Sequence, residues 1–313
     1  MSATNCKLYT RFFGHEPPAS VSVGKSQADI LTAGRGFMDG FDHTMQLMVG
    51  CPGGCLFCYV KNGYMLAPVS VKGRLGDLWG FILRHKERPI EKFRAHLEKG
   101  TLANKTLYWS GVTDPYASTP KVTRGIWETL CAVPPELRPK RIAVQSRFRP
   151  DRDADIIVHY AADTHPSDGG PAVVFSYSIG TDRNDLINAW ERATPSFEQR
   201  MNCVTRLREA GLFVVVTLSP FSLWNDLQGT LQRFKDIGVA YVTMLFFKCG
   251  TRSANTPRYF LDYLAETHPE LLDEQWQQER VVEARAVFGQ DRVLMGQDGF
   301  ISLTRPHTVG QRS

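Results

Sequence analysis

No apolar run in this 313-residue chain approaches the ~18 residues of a membrane span, and the polar start from Met1 to Lys7 lacks the core of a signal peptide. Nothing here calls for a membrane partner. An excess of one charge is also missing. The 37 Lys and Arg against 32 Asp and Glu leave a formal charge of +5, which permits contact with phosphate or nucleic acid without requiring it. A disulfide framework is absent too, because Cys6, Cys131, Cys203 and Cys249 are scattered singly. These absences make a cytoplasmic enzyme in a reducing compartment the expectation.

What the chain does have is a tight cysteine triplet in Cys51-Pro52-Gly53-Gly54-Cys55-Leu56-Phe57-Cys58, followed at once by Tyr59. Spacings of four and three, with two glycines and a proline to turn the backbone, fold three sulfurs around one metal centre. No nearby residue offers an obvious fourth ligand. A structural zinc site is normally closed by four protein ligands. A [4Fe-4S] cluster on three cysteines leaves one iron open to a small molecule. Cys51, Cys55 and Cys58 are therefore expected to hold a [4Fe-4S] cluster, with a structural zinc module as the alternative.

With 42% hydrophobic residues the chain can bury a large core. The stretch to Gly40, rich in Gly, Ser and Pro, reads as an arm without sustained period. Short apolar runs then alternate with helical patterns: Thr44 to Val49, Thr106 to Trp109, Arg141 to Gln145, Ala172 to Ser178, Leu212 to Leu218 and Val239 to Phe247. Six such strands with helices between them predict parallel βαβ units, in an open sheet or a barrel. Ser196 with Gln199 forms a capping box ahead of the stripe Phe197, Met201, Val204 and Leu207, and Gly211 ends that helix. A second helix begins near Asn225, carries Leu227, Leu231, Phe234 and Ile237 on one face, and stops at Gly238. Cys131 and Cys203 fall on helical segments as packing residues. After Cys249 the pattern becomes helical through Leu271, Leu272, Trp276, Val281, Val282 and Val287, with a short strand near Val293 and a frayed tail from Thr304 to Ser313. The expected divisions are an arm over 1–40, a catalytic core over 41–250 and a cap over 251–313.

Polar residues at strand C-terminal ends are the site candidates, since barrel active sites collect there. Ser110, Thr113 and Asp114 follow the second strand, although Asp114-Pro115 also reads as a turn capping the next helix. Arg147 ends the third strand, where its guanidinium can take a carboxylate in a bidentate pair or stand solvated beside Arg149 and Arg152. Ser178 ends the fourth strand. Cys249 follows the sixth, as a reactive thiol, a soft ligand or a small core residue.

The C-x3-C-x2-C loop, with the aromatic Phe57 before its last cysteine, resembles that of the radical S-adenosylmethionine (SAM) enzymes. More narrowly, Cys51 to Tyr59, Ser110-Gly111-Val112-Thr113-Asp114-Pro115-Tyr116 and Pro195-Ser196-Phe197-Glu198-Gln199-Arg200 resemble the branch of the spore photoproduct lyases and their "DNA repair photolyase" relatives. The similar stretch runs from about residue 40 to 250. The resemblance implies an α/β fold, a partial TIM barrel of (β/α)6 form with an N-terminal arm and a C-terminal helical cap. It also implies a [4Fe-4S] cluster, SAM as cofactor and a reducing partner such as flavodoxin or ferredoxin. Phe57, Ser110, Thr113, Asp114, Arg147 and Ser178 would then sit around SAM, with Ser110, Thr113 and Asp114 near its amino end and Arg147 on its carboxylate.

The chain departs from the lyases where their chemistry needs a hydrogen donor. Gly111 and Val112 replace the thiol expected beside Thr113-Asp114, and Phe57 has no hydroxyl, which leaves Tyr59 as the matching phenol and Cys249 as the one substitute thiol. The favoured function is therefore reductive cleavage of SAM to a carbon radical acting on a small-molecule substrate. Whether a 5'-deoxyadenosyl radical forms or an aminocarboxypropyl group is transferred stays open. The alternative is a nucleic-acid lesion repair lyase, which the basic residues Arg138, Lys140, Arg141, Arg147, Arg149 and Arg152 would serve.

Overall fold

The computed structural model describes residues 1–34, 38–62, 75–109, 112–117, 119–250 and 255–304. Ser110 and Gly111, and the tail beyond 304, lie outside the described residues. The N-terminal third runs α1 (Ala3–Phe13), β1 (Ser22–Ser26), β2 (Leu31–Ala33), β3 (His43–Met45), β4 (Met48–Val49), α2 (Leu75–Leu78), β5 (Ile82–Lys86) and α3 (Pro89–Glu98). The middle continues β6 (Thr106–Trp109), α4 (Pro120–Ala132), β7 (Arg141–Ser146), α5 (Ala154–Ala162), β8 (Val173–Ser178), α6 (Asn184–Trp190), α7 (Phe197–Glu209) and β9 (Phe213–Leu218). The last third is α8 (Leu227–Asp236), β10 (Tyr241–Met244), α9 (Arg258–Thr267), α10 (Glu274–Phe288), β11 (Val293–Met295) and α11 (Gly296–Ile301).

Strands β3, β6, β7, β8, β9, β10 and β11 pair in that order, all parallel, and β2 lies antiparallel on the outer edge of β3. The two edges, β2 and β11, do not join, so the sheet is a partial barrel. Five of the six expected strands fall where the apolar runs placed them. The first run splits instead: β3 stays in the barrel, while β4 leaves it to pair antiparallel with β5, which also takes β1 in parallel. The short strand near Val293 joins the barrel as its seventh parallel member.

The period of two along each strand sorts side chains between two cores. Leu107, Trp109, Ile142, Val144, Val173, Phe175, Val214 and Val216 face the helices, meeting Ile126, Trp127, Val204 and Leu231. Tyr108, Ala143, Val174 and Val215, between them in sequence, fill the barrel with Met38, Phe41, Leu245 and Leu303. At about 1.5–3 kcal/mol for each large apolar side chain removed from water, these layers supply the main drive for closure.

The helix boundaries follow their caps. Ser196 accepts from Gln199 N–H and the Gln199 side chain accepts from Ser196 N–H, closing the box that opens α7. Asp226, one residue after the expected start, caps α8 by accepting from Gly229 N–H. Cys131 lies in α4 and Cys203 is buried in α7. The arm is not irregular throughout, because α1 forms between the cap Ser2, which accepts from Asn5 N–H, and Gly14 at φ +74°. It packs Leu8, Tyr9, Phe12 and Phe13 into a second core with Leu56, Phe81, Trp190 and Phe260. No helix among the described residues is long and apolar enough to cross a membrane.

Candidate active site

The cysteine loop leaves β4 through Gly50, whose φ of +93° brings the backbone so near β5 that a Cβ would lie 2.0 Å from the Ile82 carbonyl oxygen. Its own turns are tied by Gly54 N–H to Cys51 O (3.2 Å) and Cys58 N–H to Cys55 O (3.1 Å). From behind, Leu56 N–H donates to Trp190 O (2.8 Å), Arg192 N–H to Gly53 O (2.8 Å), and the Tyr259 hydroxyl to Leu56 O (2.8 Å). The loop is thus fixed by the segment after α6 and by α9. Thr113 adds to this from below, its buried hydroxyl lying 3.1 Å from Met48 O and 3.0 Å from Gly50 O.

A cavity of about 230 Å³ opens at the C-terminal ends of the barrel strands, and Cys51, Cys55 and Cys58 form one of its walls. Phe57, Tyr59, Asp114, Arg147 and Ser178 line the same cavity. Thr113 and Cys249 do not. Thr113 serves the backbone, and Cys249 is exposed beside Lys248, which does line the cavity. Burial raises the phenol of Tyr59, so that residue presents a neutral hydroxyl.

Burial pushes the Cys51 thiol up to about 12, and raises Cys55 and Cys58 as well. Buried thiols of this kind become thiolates when a metal's charge displaces their protons. Among the described residues no three His, Cys, Asp or Glu side chains close on a single ion. Three thiols on one cavity wall match the donor count of a cubane, where each thiolate takes its own iron and one iron stays open, whereas a closed structural zinc site takes four protein ligands. The donor set therefore fits a [4Fe-4S] cluster better than a zinc ion.

Asp114 makes the turn expected of it and also ties that turn to the end of β7. Its carboxylate accepts from Tyr116 N–H (2.9 Å) in the turn, and from the Ser146 hydroxyl and Arg147 N–H (2.8 Å each) at the end of β7. Burial pushes its pKa up against these three donors. Along the inner wall the Tyr108 hydroxyl donates to Gln145 Oε1, and Gln145 Nε2 donates to Ser178 Oγ (3.4 Å).

Arg147, expected on a cofactor carboxylate, meets the protein's own Glu191 at 3.0 Å from Nη1 while lining the cavity. Glu191 also takes Arg200 Nη2 at 2.5 Å and the Thr194 hydroxyl. Burial alone would raise Glu191, yet Arg200 and Arg147 hold it down at about 2. Glu191 and Arg200 escaped the sequence reading, as did Gln145 and Lys248 on the cavity wall. One signal was present: Arg200 lies on the apolar face of α7, three residues after Phe197 and four before Val204, where a charge demands a buried partner.

No protein-family model matches the sequence, and no curated protein matches it. Solved structures do resemble the fold. Spore photoproduct lyase complexed with dinucleoside spore photoproduct superposes with a TM-score of 0.54 at 14% identity, covering 87% of this chain and 80% of that one. A doubly substituted spore photoproduct lyase with bound AdoMet, which is SAM, and dinucleoside spore photoproduct gives 0.51 at 13% identity, covering 94% and 85%. The partial-barrel fold inferred from the resemblance is the fold these enzymes share with this chain.

Proposed function

We propose that this chain is a radical SAM enzyme acting on a small-molecule substrate. The observation that carries the proposal is the meeting of three thiols, Cys55 buried and Cys51 and Cys58 partly so, with Asp114, Arg147 and Ser178 in one cavity at the strands' C-terminal ends. A [4Fe-4S] cluster held there would supply the single electron that reductive cleavage of a SAM carbon-sulfur bond requires. Cys51, Cys55 and Cys58 would hold the cluster, and Gly53 and Gly54 let the loop approach the wall at residues 190–194. Ser178 and Gln145 offer hydrogen-bonding groups along the inner wall for SAM's polar end, and Phe57 gives an apolar face beside them. The aromatic and aliphatic lining of Trp79, Val112, Leu245 and Phe246 excludes water from a reactive radical. A low-potential donor such as flavodoxin or ferredoxin is the partner this chemistry requires.

A small substrate is favoured by what the six basic residues do. Arg138 is buried against Val133 O, Cys131 O and Thr164, and Arg141 against Asp168, both near the N-terminal end of β7. Arg147 lies inside with Glu191, Arg149 pairs with Asp151, and Arg152 lies over the Tyr116 ring. Five of the six are thus committed singly, each to its own partners. Val112 also lines the cavity in the motif where the lyases are expected to place a thiol. A second reading, repair of a nucleic-acid lesion, is favoured by the dinucleoside spore photoproduct bound in the neighbour of like fold.

Anaerobic reconstitution followed by product analysis tests the proposal. About four irons and four sulfides per chain are expected, with SAM fragments appearing on reduction. Stoichiometric zinc without iron would overturn it, and restored thymines from an irradiated oligonucleotide would move the second reading ahead.

A further inference from the structure

Arg147 touches the metal-binding loop more closely than a cofactor clamp needs to. Its Nη1 lies 3.5 Å from Cys55 Sγ while donating to Glu191 at 3.0 Å, and Nη2 donates to Ser219 O at 3.3 Å. The guanidinium also lies over the Phe57 ring, with Cζ 5.5 Å from its centroid. Behind it, Arg200 grips Glu191 at 2.5 Å, and is itself held by Pro195 O (2.9 Å) and Thr194 Oγ1 (2.8 Å). Side-chain exposure falls from 17% at Arg147 through 7% at Glu191 to 1% at Arg200. The result is a buried row of positive, negative and positive charge that ends on one of the three loop thiols.

We propose that this row sets the reduction potential of the metal centre, with Arg147 donating to the Cys55 sulfur and Glu191 and Arg200 acting as positioning residues. The inference rests on the reading of Cys51, Cys55 and Cys58 as ligands of a [4Fe-4S] cluster. Reduction adds one electron from an external low-potential donor, with no bond made or broken and no proton taken up. The added negative charge spreads over the sulfurs, so a cationic N–H at a ligand sulfur stabilises the reduced form more than the oxidised one and raises the potential. Glu191 keeps the flexible guanidinium at that sulfur. Alone it would cancel the positive charge it positions, and Arg200 restores a net charge of one. The motif Pro195 to Arg200, otherwise only a helix start, thereby gains a role in the site.

The test is a potentiometric titration of the reconstituted full-length protein without SAM, using dithionite as electron donor and electron paramagnetic resonance as readout. In Arg147→Gln the ratio of reduced to oxidised protein at the wild-type midpoint should fall about tenfold, which is about 59 mV for one electron. Arg147→Lys should recover part of the shift. Arg200→Gln should move the midpoint the same way by less, and Arg141→Gln, at the other end of β7, should not move it. Arg200 contacts no cysteine, so it decides the matter if Arg147→Gln fails to load iron. An unchanged midpoint in iron-loaded Arg147→Gln or Arg200→Gln overturns the proposal, and so does weaker SAM binding by Arg147→Gln at an unchanged midpoint. A wild type that takes up no iron would instead sink the parent reading.

Discussion

Arg141 and Arg147 stand at opposite ends of the same strand, β7, the first fully buried and the second 17% exposed, and their partners differ in kind. Arg141 is held by Pro171 O at 2.9 Å and by Asp168 at 2.7 Å, a carboxylate whose side chain is still 23% exposed. Both of these contacts come from the loop leading into β8. Arg147 instead draws on chain segments 92, 44 and 72 residues away, at Cys55, Glu191 and Ser219. The first arginine closes a local loop against the N-terminal end of the barrel. The second ties three distant segments together at the end where active sites collect. Burial alone therefore says little about role; the sequence distance and chemistry of the partners say more.

The comparison is broken most severely at the thiols. Replacing Cys51, Cys55 or Cys58 with Ala should abolish iron loading and SAM cleavage together, because each removes one of the three proposed thiolate ligands. Arg141→Ala should leave both intact. Iron analysis and product mass spectrometry check the pair, and iron retained in all three cysteine variants would remove the metal centre from this cavity.

Stability should separate the two ends next. Arg200→Ala strands Glu191 in the interior beside a single remaining cation, and breaking a buried pair of this kind costs about 3–5 kcal/mol. Arg141→Ala leaves Asp168 near water, where it can rehydrate, so the loss should be nearer the about 1–3 kcal/mol of an unmet polar group. Urea unfolding of the two variants tests the order, and a larger loss for Arg141→Ala would invert the assignment of local and long-range roles.

Acid should then act on the upper end in a defined window. Glu191 is held at about 2 in the fold against 4.5 for the ordinary side chain, so its stabilising contribution is complete above about 4.5 and is lost as pH falls toward 2. The gap in stability between wild type and Glu191→Gln should accordingly stay constant at neutral pH and close through that interval. Thermal melts across the range give the measurement. A gap that persists at pH 2 would mean that Glu191 is not held down by Arg147 and Arg200.

The elements that sequence made legible are those fixed by local pattern. The apolar runs of β6 to β10 and the capping box at Ser196 and Gln199 each need only a few neighbouring residues to declare themselves. The same holds for the cysteine spacing, which brings three thiols to one cavity without reference to the rest of the chain. What stayed hidden depends on partners far away. The run Thr44 to Val49 looks like one strand, but Gly50 lets its second half turn to β5. Helix α1 has few buried residues of its own and is held by Trp190 and Phe260, from α6 and α9. Glu191 carries no local mark, since its meaning comes from Arg147 at a separation of 44 residues.

The smallest effect is expected at Cys249, and it probes the segment that follows β10. Sequence position after β10 suggested a thiol aimed into the barrel mouth, whereas the structure turns Lys248 to the cavity and leaves Cys249 exposed outside its lining. An exposed thiol with no share of the core contributes little to stability, so Cys249→Ala should unfold within about 0.5 kcal/mol of wild type. Iron content, the midpoint potential and SAM cleavage should also be unchanged, since the residue reaches none of the groups that carry them. The decisive measurement adds an irradiated oligonucleotide to the reduced wild type and variant in parallel. No thymine restored by either keeps the small-molecule reading in front. Restoration by the wild type alone would mean that the loop after β10 rearranges on binding, bringing the thiol inward as the hydrogen donor that Gly111 and Val112 cannot be.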